Sequence, residues 1–129
     1  MIHLDGEKMS KSKGNLVFVS KLLNQGVDPM AIRWALLSGH YQQDRSWSDE
    51  LLQKSNSEIA LLRSVLAQSE VASSKDLMQS IVFDIANNLD TPSALTRLVS
   101  WAKSSQNSPE VNESGLVSRG IDSLLGLAL

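Results

Sequence analysis

From Ser48 onward the chain repeats apolar side chains at a spacing that only an α-helix turns into one face. Leu52, Ser55, Ile59, Leu62 and Leu66 follow one another at intervals of three and four, with Ser48 as a cap and Asp49 and Glu50 in the first turn, where the helix dipole favours negative charge. The same rhythm returns three times. Met78, Val82, Ile85 and Leu89 predict a second helix, separated from the first by a break over Val71 to Ser74. Thr91-Pro92 predicts a cap and proline start for a third, with Leu95, Leu98, Val99 and Ala102 on its stripe and Ser104 to Ser108 as a polar linker after it. Val117, Ile121, Leu124 and Ala128 mark a last helix, and residues 108 to 115 read either as a loop or as a ragged helix start. Short connections between such helices imply an up-and-down bundle, so the fold class expected is mainly α.

The front of the chain has a different texture. Met1 to Leu4 alternates, with Ile2 and Leu4 on one side, and Asp5-Gly6 is a tight-turn dipeptide. One short strand needs neighbours for its backbone, so the protein is expected to extend upstream of Met1. Leu16-Val17-Phe18-Val19 reads as a short extended run under the preceding residues. Ser20 is expected to cap a short helix through about Gln25 that stops at Gly26. Asp28-Pro29 restarts a helix with Ile32, Ala35, Leu36 and Gly39 on one stripe, ending near His40-Tyr41, and residues 42 to 47 read as a loop.

Composition excludes several classes of function. With no cysteine, these 129 residues hold no disulfide framework, no thiolate zinc site and no cysteine nucleophile. The first residues lack the basic and apolar regions of a signal peptide, and no stretch has membrane-spanning length, which makes a cytoplasmic location the default. Charge is uneven. Residues 1 to 21 carry +2 and the remainder −4, so the bundle is a poor electrostatic partner for a nucleic-acid backbone. Trp34, Trp47 and Trp101 each fall on or beside an apolar helical face and are read as core. His3 and His40 have no metal-ligand spacing and are read as structural or as loop packing. Asp44-Arg45 beside Trp47 is a candidate ion pair close to the loop.

The positive charge at the front is concentrated in Asp5-Gly6-Glu7-Lys8-Met9-Ser10-Lys11-Ser12-Lys13-Gly14-Asn15. Two ammonium groups three residues apart, separated by small hydroxyl residues and followed by glycine, are able to wrap a polyphosphate, with backbone N–H groups as further donors. For an arbitrary Lys/Ser cluster a solvated turn is the commoner reading. Here Lys8-Met9-Ser10-Lys11-Ser12 is letter for letter the KMSKS signature, and in this the chain resembles the class I aminoacyl-tRNA synthetases and their relatives, which activate a carboxylate with ATP. Asp28-Pro29-Met30-Ala31-Ile32-Arg33 and Leu36-Leu37-Ser38-Gly39-His40-Tyr41 are similar to the segment that follows this loop in cysteinyl-tRNA synthetases. Gly39-His40-Tyr41-x-x-Asp44-Arg45-x-Trp47-Ser48-Asp49, Leu89-Asp90-Thr91-Pro92 and Leu124 to Leu129 look like a paralogous family, the cysteine:glucosaminyl-inositol ligases of mycothiol biosynthesis.

That resemblance implies a C-terminal portion of such a ligase, beginning just before the loop. Residues 1–20 would end the catalytic domain and carry the loop, 21–47 would be connecting helices and 48–129 the C-terminal bundle. The family forms a cysteinyl-adenylate from cysteine and magnesium-bound ATP and transfers the cysteinyl group to the amine of glucosaminyl-inositol. Carried onto this chain, Lys8, Met9, Ser10, Lys11 and Ser12 would meet ATP, with Lys11 catalytic, while Gly14 and Asn15 fix the turn. The resemblance implies zinc in the absent upstream catalytic domain, with no ligands in this segment, and an isolated segment that is inactive. A cysteinyl-tRNA synthetase, with tRNA as partner, is the alternative, and a non-catalytic helical interaction module is a third reading. With their neighbours missing, Ile2, Leu4 and Val17 are expected to be exposed and to let the segment self-associate.

Overall fold

The computed structural model describes residues 2–4 and 6–129. Its front is a three-stranded sheet in the order β2-β1-β3. Strand β1, Ile2–Leu4, pairs antiparallel with β2, Glu7–Lys8, and parallel with β3, Arg45–Trp47. Of the expected Asp5-Gly6 turn, Asp5 lies outside the described residues; Gly6 has φ +83°, a conformation that favours glycine. Its N–H donates to the Ser46 hydroxyl across the sheet, at 3.2 Å. The expectation of a loop over residues 42 to 47 is thus corrected for its last three. Three residues are too few to show alternation, yet Leu4 lies opposite Trp47 and the indole turns inward.

Helix α1, Val19–Asn24, starts one residue before Ser20, which therefore does not cap it; Phe18 holds that position without a side-chain bond. Its end closes over Gly26, at φ +80°, where Val27 N–H reaches back to the Leu22 carbonyl. Helix α2, Pro29–Leu37, has the predicted cap, the Asp28 carboxylate accepting from Met30 N–H at 2.8 Å. Its expected single stripe is instead two faces. Ile32 and Ala35 pack with Trp47 in a small cluster that Ile2, Leu4, Met9, Val17 and Leu22 partly cover, whereas Trp34 enters the bundle core and Leu36 points outward. Ile2, Leu4 and Val17 are consequently half-buried, against the expectation of exposure; the open apolar residues nearby are Phe18, Val19 and Leu23.

Asp28 also joins α2 to the bundle through an ion pair with Arg63. That hydrogen bond, with the Met30 N–H, holds the Asp28 carboxyl below its ordinary value near 3.8. A carboxyl lowered on folding contributes stability that is complete above the unfolded value and lost as pH falls through the lower folded one. Urea midpoints should therefore fall on acidification below about pH 4, and Asp28→Asn, which keeps a capping oxygen, should flatten that limb. An unchanged acid limb would show that the pair carries no such linkage.

The bundle consists of α3, Asp49–Leu66; α4, Lys75–Ala86; α5, Thr91–Asn107; and α6, Ser114–Leu125. Helix α3 matches its periodicity, with Ser55, Ile59, Leu62 and Val65 buried and the Ser48 hydroxyl accepting from Leu51 N–H at 3.2 Å. Helix α4 is turned from its expected stripe. Leu77, Ile81 and Asp84 face inward, and Val82 and Leu89 are about half exposed. The reason is Asp84, whose buried carboxylate is gripped by Arg97 of α5, with Nε at 2.6 Å. Asp90, not Thr91, caps α5, accepting from Ser93 N–H at 3.2 Å, while the Thr91 hydroxyl donates to the Leu37 carbonyl at 2.7 Å. The expected linker over 104 to 108 is the last turns of α5 as far as Asn107, kept helical because the buried Ser105 hydroxyl accepts from Ala72 N–H. Residues 108–113 form a connection that bridges Val111 to Val71 and sets the Glu113 carboxylate on Ser74, with α6 beginning at Ser114. Gly126, at φ +65°, ends α6, so Leu127 rather than Ala128 enters the core. All three tryptophans are buried, as expected.

Candidate functional site

The lysine-rich residues leave the sheet at β2 and return toward α1 as a short loop braced from within. Its brace is Asn15. The amide oxygen accepts from Ser10 N–H at 2.8 Å and the amide nitrogen donates to the Lys8 carbonyl at 3.2 Å, so one side chain ties together both ends of the segment between them. Ser10 adds a second layer, its hydroxyl accepting from Lys13 N–H at 3.3 Å and lying 3.3 Å from the Ser12 hydroxyl. The turn over Lys11 to Gly14 closes with Gly14 N–H on the Lys11 carbonyl, and Gly14 has φ +66°. A Cβ there would meet nothing within 4 Å, so glycine is required by backbone conformation and not by space.

The five residues singled out from sequence divide by what they do. Met9 turns its side chain down onto the cluster of Ile32, Ala35 and Trp47 and anchors the loop to α2. Ser10 and Ser12 shape it. Lys8 and Lys11 are exposed, and among the described residues neither ammonium group has an ion-pair partner. Lys13 differs: it pairs with Glu7 at 3.2 Å. That exposed pair adds little stability, but it removes one lysine from competition and leaves the two at either end of the Met9-Ser10 step available. Such a loop can offer two mobile cations and several backbone donors to a polyanion.

His40-Tyr41 and the turn before Leu89-Asp90, far apart in sequence, come together in the structure. His40 stacks on Tyr41, its Nε2 lies 3.1 Å from the Asn88 carbonyl, and the Tyr41 hydroxyl donates to Asn88 Oδ1 at 2.7 Å. Asn88 and Leu89 both have φ +54°, and this clamp holds that uncommon turn against the end of α2. Arg45 turns its guanidinium onto the Leu36 and Gly39 carbonyls at the end of α2. These contacts orient α2, and with it the surface that seats Met9. Among the described residues no three His, Cys, Asp or Glu side chains converge as a metal site, and no helix is long and apolar enough to cross a membrane.

Residues 1–57 match the family described as tRNA synthetases class I (C) catalytic domain. Along its whole length the chain is 48% identical to an L-cysteine:1D-myo-inositol 2-amino-2-deoxy-alpha-D-glucopyranoside ligase of Nakamurella multipartita, of which it covers 30%. Ligases of the same description from Actinosynnema mirum and Streptomyces coelicolor are 47% and 45% identical over the whole chain, which covers 32% of each. The chain therefore spans about a third of the length of these relatives.

Proposed function

We propose, for a chain that matches cysteine:glucosaminyl-inositol ligases from end to end, that it is the portion of such an enzyme that carries the KMSKS loop and the helical bundle behind it. The longer protein would be a cytoplasmic enzyme of mycothiol biosynthesis. In it, the cysteine carboxylate attacks the α-phosphorus of ATP, pyrophosphate leaves, and the glucosaminyl amine then attacks the cysteinyl carbonyl carbon and releases AMP. The observation that carries this reading is the braced loop in which Lys8 and Lys11 have no ion-pair partner among the described residues, in a chain so similar to those ligases.

Negative charge grows on the leaving pyrophosphate as the first step proceeds. An ammonium group held at the turn of the loop stabilises that charge more than it stabilises bound ATP, which is the condition for lowering a barrier. We assign this role to Lys11, which starts the Lys11 to Gly14 turn, and phosphate binding to Lys8, which ends β2. Ser10, Ser12 and the backbone of Met9 complete the contacts. Magnesium accompanies the ATP. Zinc, which would select the thiol of cysteine, finds no donor set among the described residues, and no step is assigned to it in this chain. The amino-acid pocket likewise belongs to the rest of the enzyme, so the 129-residue chain by itself should show no cysteine-dependent ATP–pyrophosphate exchange.

The match of residues 1–57 to a tRNA synthetase family keeps one second reading in view, a cysteinyl-tRNA synthetase. Assaying the longer protein with cysteine and ATP against glucosaminyl-inositol and against tRNA separates the two. Amide formation on the amino sugar with no charging of tRNA is expected; robust charging of tRNA would replace the first reading by the second.

A further inference from the structure

Behind the loop module, where the end of α2 meets the ends of α4 and α6, lies a cavity of about 280 Å³. Leu36, Leu37, Ile85, Leu89 and Leu124 make its walls apolar, and Arg33 and Arg45 both line it. Among the described residues neither guanidinium has a carboxylate within salt-bridge distance, although the other ion pairs of the bundle show that acids are available to arginines where folding calls for them. Asp90, on the turn that leads into α5, commits its carboxylate to Ser93. Partial burial pushes the Arg45 guanidinium below its usual pKa.

Helix C-termini account for part of this charge. Arg45 donates through Nη1 to the Leu36 and Gly39 carbonyls, and Arg33 through Nε to the Leu125 carbonyl at 2.7 Å. Both side chains come down on glycine: a Cβ at Gly39 would stand 2.5 Å from Arg45 Cδ, and one at Gly126 would collide with the Arg33 guanidinium. These contacts fix the two guanidinium planes but use only some of the five N–H donors each carries. Both arginines line the cavity, whose other walls are largely apolar, together with Tyr41 and Thr91.

We infer that this cavity is a binding site for a small organic anion, a carboxylate with an apolar body, held by Arg33 and Arg45 with its hydrocarbon among Leu36, Ile85, Leu89 and Leu124. The site is separate from the KMSKS loop, and it does not depend on the reaction proposed above.

The test uses the 129-residue chain itself, following backbone amide resonances of Gly39, Leu89, Thr91 and Leu125 during titration with hexanoate, with hexanol and with inorganic phosphate. Saturable shifts confined to this region are expected with hexanoate, with affinity about tenfold weaker for hexanol, which keeps the hydrocarbon and lacks the charge. Phosphate, which has the charge without the hydrocarbon, should also bind at least about tenfold more weakly. Arg33→Gln, which also gives up the hydrogen bond to the Leu125 carbonyl, should weaken hexanoate by a similar factor and leave hexanol unaffected, the unchanged hexanol affinity showing that the cavity is intact. Equal affinity for hexanoate and hexanol, hexanoate binding unchanged in Arg33→Gln, or no saturable shift with hexanoate would each overturn the assignment.

Discussion

If the longer protein is the proposed ligase, Lys11→Ala made in it should nearly abolish cysteine-dependent ATP–pyrophosphate exchange while leaving the fold as stable as before. A donor already aimed at charge that appears only in the transition state is worth about 2–4 kcal/mol of activation free energy when it is removed. The same side chain is exposed, has no ion-pair partner among the described residues, and leads a turn whose closing hydrogen bond is made by its backbone carbonyl, which alanine keeps. Its loss should therefore change stability by no more than about 0.5 kcal/mol.

Lys13 supplies the internal control. It lies two residues away with the same charge, but its ammonium group is on Glu7. If the loop acted only by general positive charge, Lys13→Ala and Lys11→Ala would lower exchange alike. If position decides, only Lys11→Ala is severe. Near-normal exchange in Lys11→Ala would take the loop out of the chemistry, and a large fall in its denaturation midpoint would make Lys11 a structural residue.

What could be read from sequence followed from how locally each feature is determined. Helix α3 was legible because its cap, its acidic first turn and its apolar spacing agree, and nothing across the bundle contradicts them. Helix α4 was legible as a helix but not in its rotation, since a reading by hydrophobicity discards Asp84, the residue that faces inward to meet Arg97 thirteen positions later. The cap of α5 was displaced by one residue for a related reason. Thr91 has the chemistry of a cap but spends its hydroxyl on the Leu37 carbonyl, a contact between distant segments. Strand β3 depends on β1 for its partner and left no signal of its own. At the candidate site, Lys8 to Asn15 were legible as one turn-bearing loop, because the hydrogen bonds that shape it close within eight residues. The joint between α2 and the bundle, with Arg33, Arg45, His40 and Asn88, was not, because it is assembled from four separate parts of the chain.

That joint leads to the largest effect expected on stability. Trp34→Ala should cost about 3–5 kcal/mol, because the indole is fully buried in the bundle core and its truncation leaves a cavity there. Trp34 also donates from Nε1 to the Glu58 carboxylate at 2.6 Å, so truncation removes that hydrogen bond and leaves the acid to Lys54 at 3.9 Å and to solvent. Trp34→Phe separates the two contributions: it keeps much of the ring volume and should lose about 1.5–3 kcal/mol, chiefly the hydrogen bond to a charged group. The consequence extends past the core. Ile32 and Ala35, on the opposite side of α2, are the floor on which Met9 seats the loop, so a helix freed on its bundle side should release the loop's support as well. Amide exchange in Trp34→Ala should accordingly speed up at Ile32, Ala35 and Trp47 together with the bundle face, whereas Val117 and Leu98 should stay protected relative to global unfolding. A urea denaturation free energy within about 1 kcal/mol of the parent would show that Trp34 does not hold the two clusters together. Faster exchange confined to the bundle side would show that the loop's seat is stable without it.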